Sequence, residues 1–242
     1  MGWRRAAIYA DGCQRGVSVA LSSEPRLDGR VIFAGFALLA GVVSLMLIVS
    51  ATTPVPRAPA ELLSFIAAHQ STYVFAAVAV LAWVTASVPF IVGLKALLGA
   101  DNSNLALAAT LLSAGGVLLL GFATFASIGA NLAILAASDA APTRAEATYQ
   151  AVIWGNLSFY LSDPGLMILG LGQVLFAWLA WNSGSLPKLI AAIGFLGGLA
   201  GLLTLAVYQT GVLAMVQLGA FGVWGLAAGV ALLRHGRELR PA

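Results

Sequence analysis

The sequence predicts an all-α integral membrane protein with six transmembrane helices, cytoplasmic N and C termini, and two short helices on the outer interface. Three observations carry this expectation. The 242 residues are 60% hydrophobic and 9% charged, against roughly 25% charged in a soluble domain. Long runs almost free of charge recur from Val31 onward, each about as long as the ~20 residues needed to cross ~30 Å of hydrocarbon. Finally, Lys and Arg gather at the ends of these runs and on one side of the topology they imply.

Residues 1–29 hold Arg4, Arg5, Arg15 and Arg26 among Asp11, Glu24 and Asp28. No apolar core of signal-peptide form precedes Val31, so this stretch reads as a cytoplasmic tail. The bundle occupies 30–236, with spans at 31–50, 73–99, 104–131, 164–182, 187–208 and 211–234, and 237–242 form a second cytoplasmic tail. Continuous apolar runs favour helices over the alternating ~10-residue strands of a membrane barrel. After the first span, the prolines of "ATTPVPRAPA" favour an extended path. "ELLSFIAAH" then sets Leu62, Phe65, Ile66 and His69 at helical spacing, as in a helix lying on the outer interface. Pro89 removes a backbone bond from span two and is expected to kink it.

Between spans three and four, "TYQAVIWGNLSFYLS" aligns Tyr149, Val152, Ile153, Leu157, Tyr160 and Leu161 on one face. Trp and Tyr favour the headgroup level, so a second outer surface helix is expected there as a lid. Gln209 and Thr210 alone separate the last two spans, which therefore form a hairpin.

The connections test this layout independently. Of the twelve Lys and Arg residues, ten (Arg4, Arg5, Arg15, Arg26, Arg30, Lys95, Lys188, Arg234, Arg237, Arg240) fall on the side of the N-terminus, and two (Arg57, Arg144) on the other. Such a bias marks the first side as cytoplasmic, and the expected location is a bacterial inner membrane crossed many times. Gly194 with Gly198, Gly197 with Gly201, and Gly225 with Gly229 give small-xxx-small spacing. This spacing brings helix backbones together, within one chain or between membrane-protein partners or copies through Gly194, Gly198, Gly225 and Gly229.

Few residues offer chemistry. The net charge of +3 is spread over helix ends rather than clustered with stacking aromatics, so nucleic acid is not an expected partner; membrane lipid is. Cys13 is the lone cysteine, and His69 and His235 fall on opposite sides, so they cannot jointly ligate a haem or metal. Lys95 and Lys188 lie at helix ends and snorkel to the interface. No catalytic, metal-binding or cofactor-binding residue is expected, and an enzyme is the less favoured class. Gln173 and Gln217 fall near mid-span, where an interhelical hydrogen bond is expected.

Asp163, in "FYLSDPGLMILGLGQ", is the carboxylate that matters most. A charge at bilayer centre costs at least ~2.5–3.5 kcal/mol, but 164–182 spans about 28 Å at ~1.5 Å per residue and leaves Asp163 at the outer boundary. Asp followed by Pro is also a helix-start pattern, carboxylate as N-cap and Pro at the first helical position. The expected role is to cap span four. The alternative is a ligand or ion site under the aromatic lid, with Asp163, Asn156, Gln173, Trp154 and Tyr160 as its candidate residues.

Several motifs resemble those of the bacterial six-helix membrane proteins grouped as domain of unknown function 4386, over roughly residues 30–236. These are "ELLSFIAAHQSTYVF", "GLKALLGADNSNLALAA", "WNSGSLPKLIAAIGFLGGLAGLL" and "GVWGLAAGVALL". The third is similar to the family's Ser-Gly-x-Leu-Pro turn into a glycine-rich fifth span. The resemblance implies the fold and the location and supplies no chemistry. The expected function is a non-catalytic bundle binding a partner protein, lipid or small apolar ligand from the outer side. The alternative is a small carrier with an outer site near Asp163.

Overall fold

The computed structural model describes residues 29–51, 59–98, 103–137, 144–204, 206 and 211–238. The N-terminal tail, Arg57 and Tyr208 lie outside the described residues. The elements are α1 (Gly29–Ala51), α2 (Pro59–Ala68), α3 (Gln70–Leu98), α4 (Ser103–Ala137), α5 (Arg144–Ser183), α6 (Lys188–Leu203) and α7 (Gly211–Glu238). Among the described residues, five stretches are long and apolar enough to cross a membrane: Gly29–Ile48, Gln70–Leu98, Asn104–Ala133, Val152–Ser183 and Gly211–Arg234. The sixth apolar helix, α6, has 16 residues, or about 24 Å of rise. By length and composition this is a multi-pass membrane protein.

Close backbone approaches fix the arrangement. A Cβ on Gly41 would stand 2.8 Å from the Gly222 carbonyl, one on Gly225 2.7 Å from that of Ala37, and one on Gly229 3.2 Å from that of Ala34. Numbers fall along α1 as they rise along α7, so the pair is antiparallel. The same reading holds for α4 and α5, through Leu120 with Gly165, Gly116 with Leu169, and Ser113 with Gly172. It holds again for α6 and α7, through Gly201 with Gln217, Gly197 with Ala220, and Gly194 with Trp224. Gly170 and Val174 meet α6 at Gly198, Phe33 meets Gly93, and Val84 meets Gly121. The helices therefore close a ring in the order α1, α3, α4, α5, α6, α7 and back to α1.

Alternation around that ring puts the start of α1, the end of α3, the α5–α6 turn and the end of α7 together. A cavity of about 350 Å³ at this end is lined by Gly29, Arg30, Ala96, Ser185 and Leu232. Arg30, Lys95, Lys188 and Arg234 lie there, whereas Glu61, Arg144 and Glu146 belong to the opposite end. Among the described residues, Lys and Arg thus gather at one end of the bundle, with Arg144 at the other.

Aromatic rings fill the interior. Phe221 meets Trp83 edge-on at 5.9 Å and Phe90 at 5.4 Å, a favoured aromatic geometry. Both buried indoles find acceptors: Trp83 Nε1 donates to Ser44 Oγ at 2.8 Å, and Trp224 Nε1 to the Ile190 carbonyl at 2.5 Å. Ser44 in turn donates to the Ala40 carbonyl at 2.7 Å, so its hydroxyl serves both bonds. Helix α3 runs unbroken through Pro89.

At the α5–α6 turn, Gly184 adopts φ 67° and its N–H bonds the Ala180 carbonyl at 3.2 Å. This is a left-handed helix end, which L side chains disfavour. The Pro187 carbonyl then accepts from Ile190 and Ala191 at 2.9 and 3.2 Å to begin α6.

The end of the bundle that holds α2 and the start of α5 departs from expectation. The segment read as a separate surface helix and lid is the first part of α5, one helix of 40 residues, or about 60 Å. Its partner α4, at 35 residues, is also longer than a bilayer requires. Helix α2 is present where expected, but only His69 separates it from α3, and its Ile66 is fully buried.

Candidate functional site

Asp163 does not cap a helix. It lies in the interior of α5, which begins at Arg144 and continues through Pro164. The Asp-Pro pair misleads because a proline inside a membrane helix is tolerated when neighbouring groups satisfy the freed backbone. The side-chain bonds on either side of Pro164 go to other carbonyls than the one four residues before it: Ser162 Oγ donates to the Ser158 carbonyl at 2.7 Å, and Gln217 Nε2 reaches across from α7 to the Leu166 carbonyl at 2.8 Å. Asp163 stands twenty residues before Ser183 at the end of α5, about 30 Å along the helix. Its carboxylate is half-buried and has no hydrogen-bond or ion-pair partner among the described residues.

The five candidate residues all lie on α5, at different heights and faces. Asn156, Tyr160 and Asp163 follow one another at four- and three-residue steps and share a side of the helix. Asn156 and Tyr160 are exposed. Trp154, nine residues before Asp163, faces the other way at 100° per residue. Gln173 is ten residues beyond Asp163, about 15 Å along the axis, and is buried in the bundle.

Gln173 belongs instead to a polar seam between α5, α6 and α7. The expected Gln173–Gln217 bond is not formed, because Gln217 spends its amide N–H on the Leu166 carbonyl. Both polar atoms of the Gln173 amide and Oε1 of Gln217 are buried without a partner among the described residues. The α6 glycines make room for these side chains. A Cβ on Gly197 would lie 2.8 Å from Gln173 Nε2, and a Cβ on Gly201 would overlap the whole Gln217 amide. Gly194 similarly accommodates the Trp224 indole. Small residues every third and fourth position thus admit large polar and aromatic groups from α5 and α7, as well as close backbones. Gly194, Gly198, Gly225 and Gly229 are all buried against helices of the same chain.

Sequence reasoning missed the role of Ser44, Trp83 and Trp224. A buried indole N–H usually finds an acceptor, and that signal was available for both tryptophans, although the acceptors were not. It also missed that α2 packs against both α4 and α5. Tyr149, Ile153, Leu157 and Tyr160 are exposed apolar residues at four- and three-residue steps, a stripe of about 16 Å. Near the C-terminal end of α6, Gly201 meets α5 at Gly170, so the stripe lies further towards the start of α5 than the described part of α6 reaches.

The ring of apolar helices and its buried polar seam define a polytopic α-helical membrane protein. More particularly, the chain belongs to the family described as Domain of unknown function (DUF4386), whose profile matches residues 33–236. No curated protein and no solved structure matches the chain.

Proposed function

We propose that the protein crosses a bacterial inner membrane six times, with both termini in the cytoplasm, and is a non-catalytic bundle whose outer α4–α5 hairpin binds a partner protein. The observation that carries this is the exposed stripe Tyr149, Ile153, Leu157 and Tyr160, held on a helix that continues past the end of α6. Ile153, Leu157 and Tyr160 fall in the apolar stretch Val152–Ser183, but α5 at 40 residues is about twice as long as the hydrocarbon is thick, so its first part stands clear of the lipid tails, where an exposed apolar patch marks an interaction surface. The six-span count is supported by the antiparallel packing of α6 against both α5 and α7, which requires the chain to return through the layer between them. A photoreactive amino acid at Ile153 or Tyr160 should give a discrete protein adduct in cells, whereas one at Leu118, exposed on α4 within the span, should give lipid adducts. Absence of a protein adduct from both outer positions would refute the partner reading.

Asp163 favours a second reading, a small carrier with an outer site. Its carboxylate caps no helix and has no partner among the described residues, and an acid at the edge of a membrane span is a candidate entry to an ion path. Proteoliposomes with an entrapped pH dye and an imposed potential test this: the carrier requires a proton flux that Asp163→Asn abolishes.

A further inference from the structure

We infer that the lipid-facing groove between α5 and α6, at the end of the bundle carrying the termini, is a site for an anionic phospholipid whose phosphate pairs with Lys188. The groove has a volume of about 440 Å³ and is lined by Trp178, Trp181, Ala192, Phe195 and Leu196, within the range of pockets that hold small molecules. Its lining is apolar, and Leu196 and Trp178 are more than half exposed, so an acyl chain can enter sideways from the bilayer.

The mouth of the groove has the opposite character. Lys188, the first residue of α6, places its ammonium 5.5 Å from the centre of the Trp181 ring, a cation–π distance. Trp181 is braced edge-on by Phe195 at 6.5 Å, and Lys188 makes no ion pair among the described residues. Trp181 lies two residues from the end of α5, the level at which tryptophan meets headgroups. A fixed cation at headgroup depth, directly beside an apolar groove, matches a phosphodiester joined to an acyl chain. Arg30, Lys95 and Arg234 at the same end make that leaflet surface attractive to anionic lipid as a whole. The groove gives the attraction a place. This inference uses a different face from the outer hairpin and stands or falls separately from it.

The test is native mass spectrometry of the full chain in detergent titrated with phosphatidylglycerol or phosphatidylcholine of identical acyl chains. The wild type should retain the anionic lipid preferentially, by about five-fold for a single lysine at the surface. Lys188→Ala should remove most of that preference and Lys188→Arg should keep it. Ala192→Trp, with Ala192→Phe as the milder filling should the first unfold the chain, should reduce retention of both lipids. Equal retention by the wild type, a preference unchanged in Lys188→Ala, or retention unchanged by filling the groove would each overturn the site. So would a dimer that Trp178→Ala dissociates, which would identify a second copy of the chain as the occupant.

Discussion

Replacing Gly225 by Ala tests the closure of the helix ring at the seam between its first and last helices. A Cβ there would lie 2.7 Å from the Ala37 carbonyl and 3.0 Å from both the backbone N and Cα of Gly41. These neighbours are backbone atoms of α1, so no side chain can rotate away. Reaching ordinary contact at about 3.4 Å requires α1 and α7 to separate by roughly 0.7 Å along a well-packed crossing. Overpacking of this kind costs about 1–3 kcal/mol, or very roughly 2–4 °C per kcal/mol for a chain of this size. Gly115→Ala is the control: it lies on α4 with nothing within 4 Å of its would-be Cβ, and alanine is the better helix former by about 1 kcal/mol. Thermal unfolding of purified protein in one detergent, followed by tryptophan fluorescence, should show Gly225→Ala melting below the wild type and Gly115→Ala at or above it. Equal midpoints for the two variants would refute the α1–α7 seam.

Other consequences follow from the same packing. Ser44→Ala deprives the buried Trp83 Nε1 of its acceptor and should cost about 1–3 kcal/mol; in a double-mutant cycle, Trp83→Phe should cost less on the Ser44→Ala background than alone. Gly184→Ala places a Cβ at φ 67°, a left-handed conformation that disfavours L residues by about 1–2 kcal/mol, and should lower the melting temperature although no atom stands within 4 Å of the new methyl. Asp163→Ala should leave thermal stability unchanged or raise it by about 0.5 kcal/mol, because Asp163 is inside a helix and alanine is the better helix former. A fall of about 0.5–2 kcal/mol would instead indicate a capping role.

The hydrophobic solvent made most of the fold legible. Where a run of apolar residues is closed by charge, as at Arg30, expected and observed ends agree within two residues: 31–50 against Gly29–Ala51. The same holds near Gly99, where α3 ends at Leu98. The reading failed where a local signal competed with lateral packing. Asp163-Pro164 has the form of a helix start, yet α4 lies alongside α5 through Leu120–Gly165 and Gly116–Leu169, and the helix continues. Span five, expected over 187–208, is helical over Lys188–Leu203, where Thr204 donates both its N–H and its hydroxyl to the Gly201 carbonyl; 207 and 208 lie outside the described residues.

Polar partners were the least legible part. Gln173 and Gln217 have similar depths, which made a mutual bond attractive on spacing alone. Which carbonyl an amide reaches depends on rotation about the helix axis and on the room left by Gly197 and Gly201, quantities that only the assembled ring defines. The glycine pattern itself was visible in the sequence. Its use, to admit the Trp224 ring and two glutamine amides, requires knowing which residues of α7 and α5 face it.

Membrane topology tests the central claim most directly. A reporter enzyme active only after export, fused after Ala242, should be inactive, while the same reporter inserted after Gln209, between α6 and α7, should be active. Activity after Ala242, or inactivity after Gln209, would contradict a six-span ring with both termini on the cytoplasmic side.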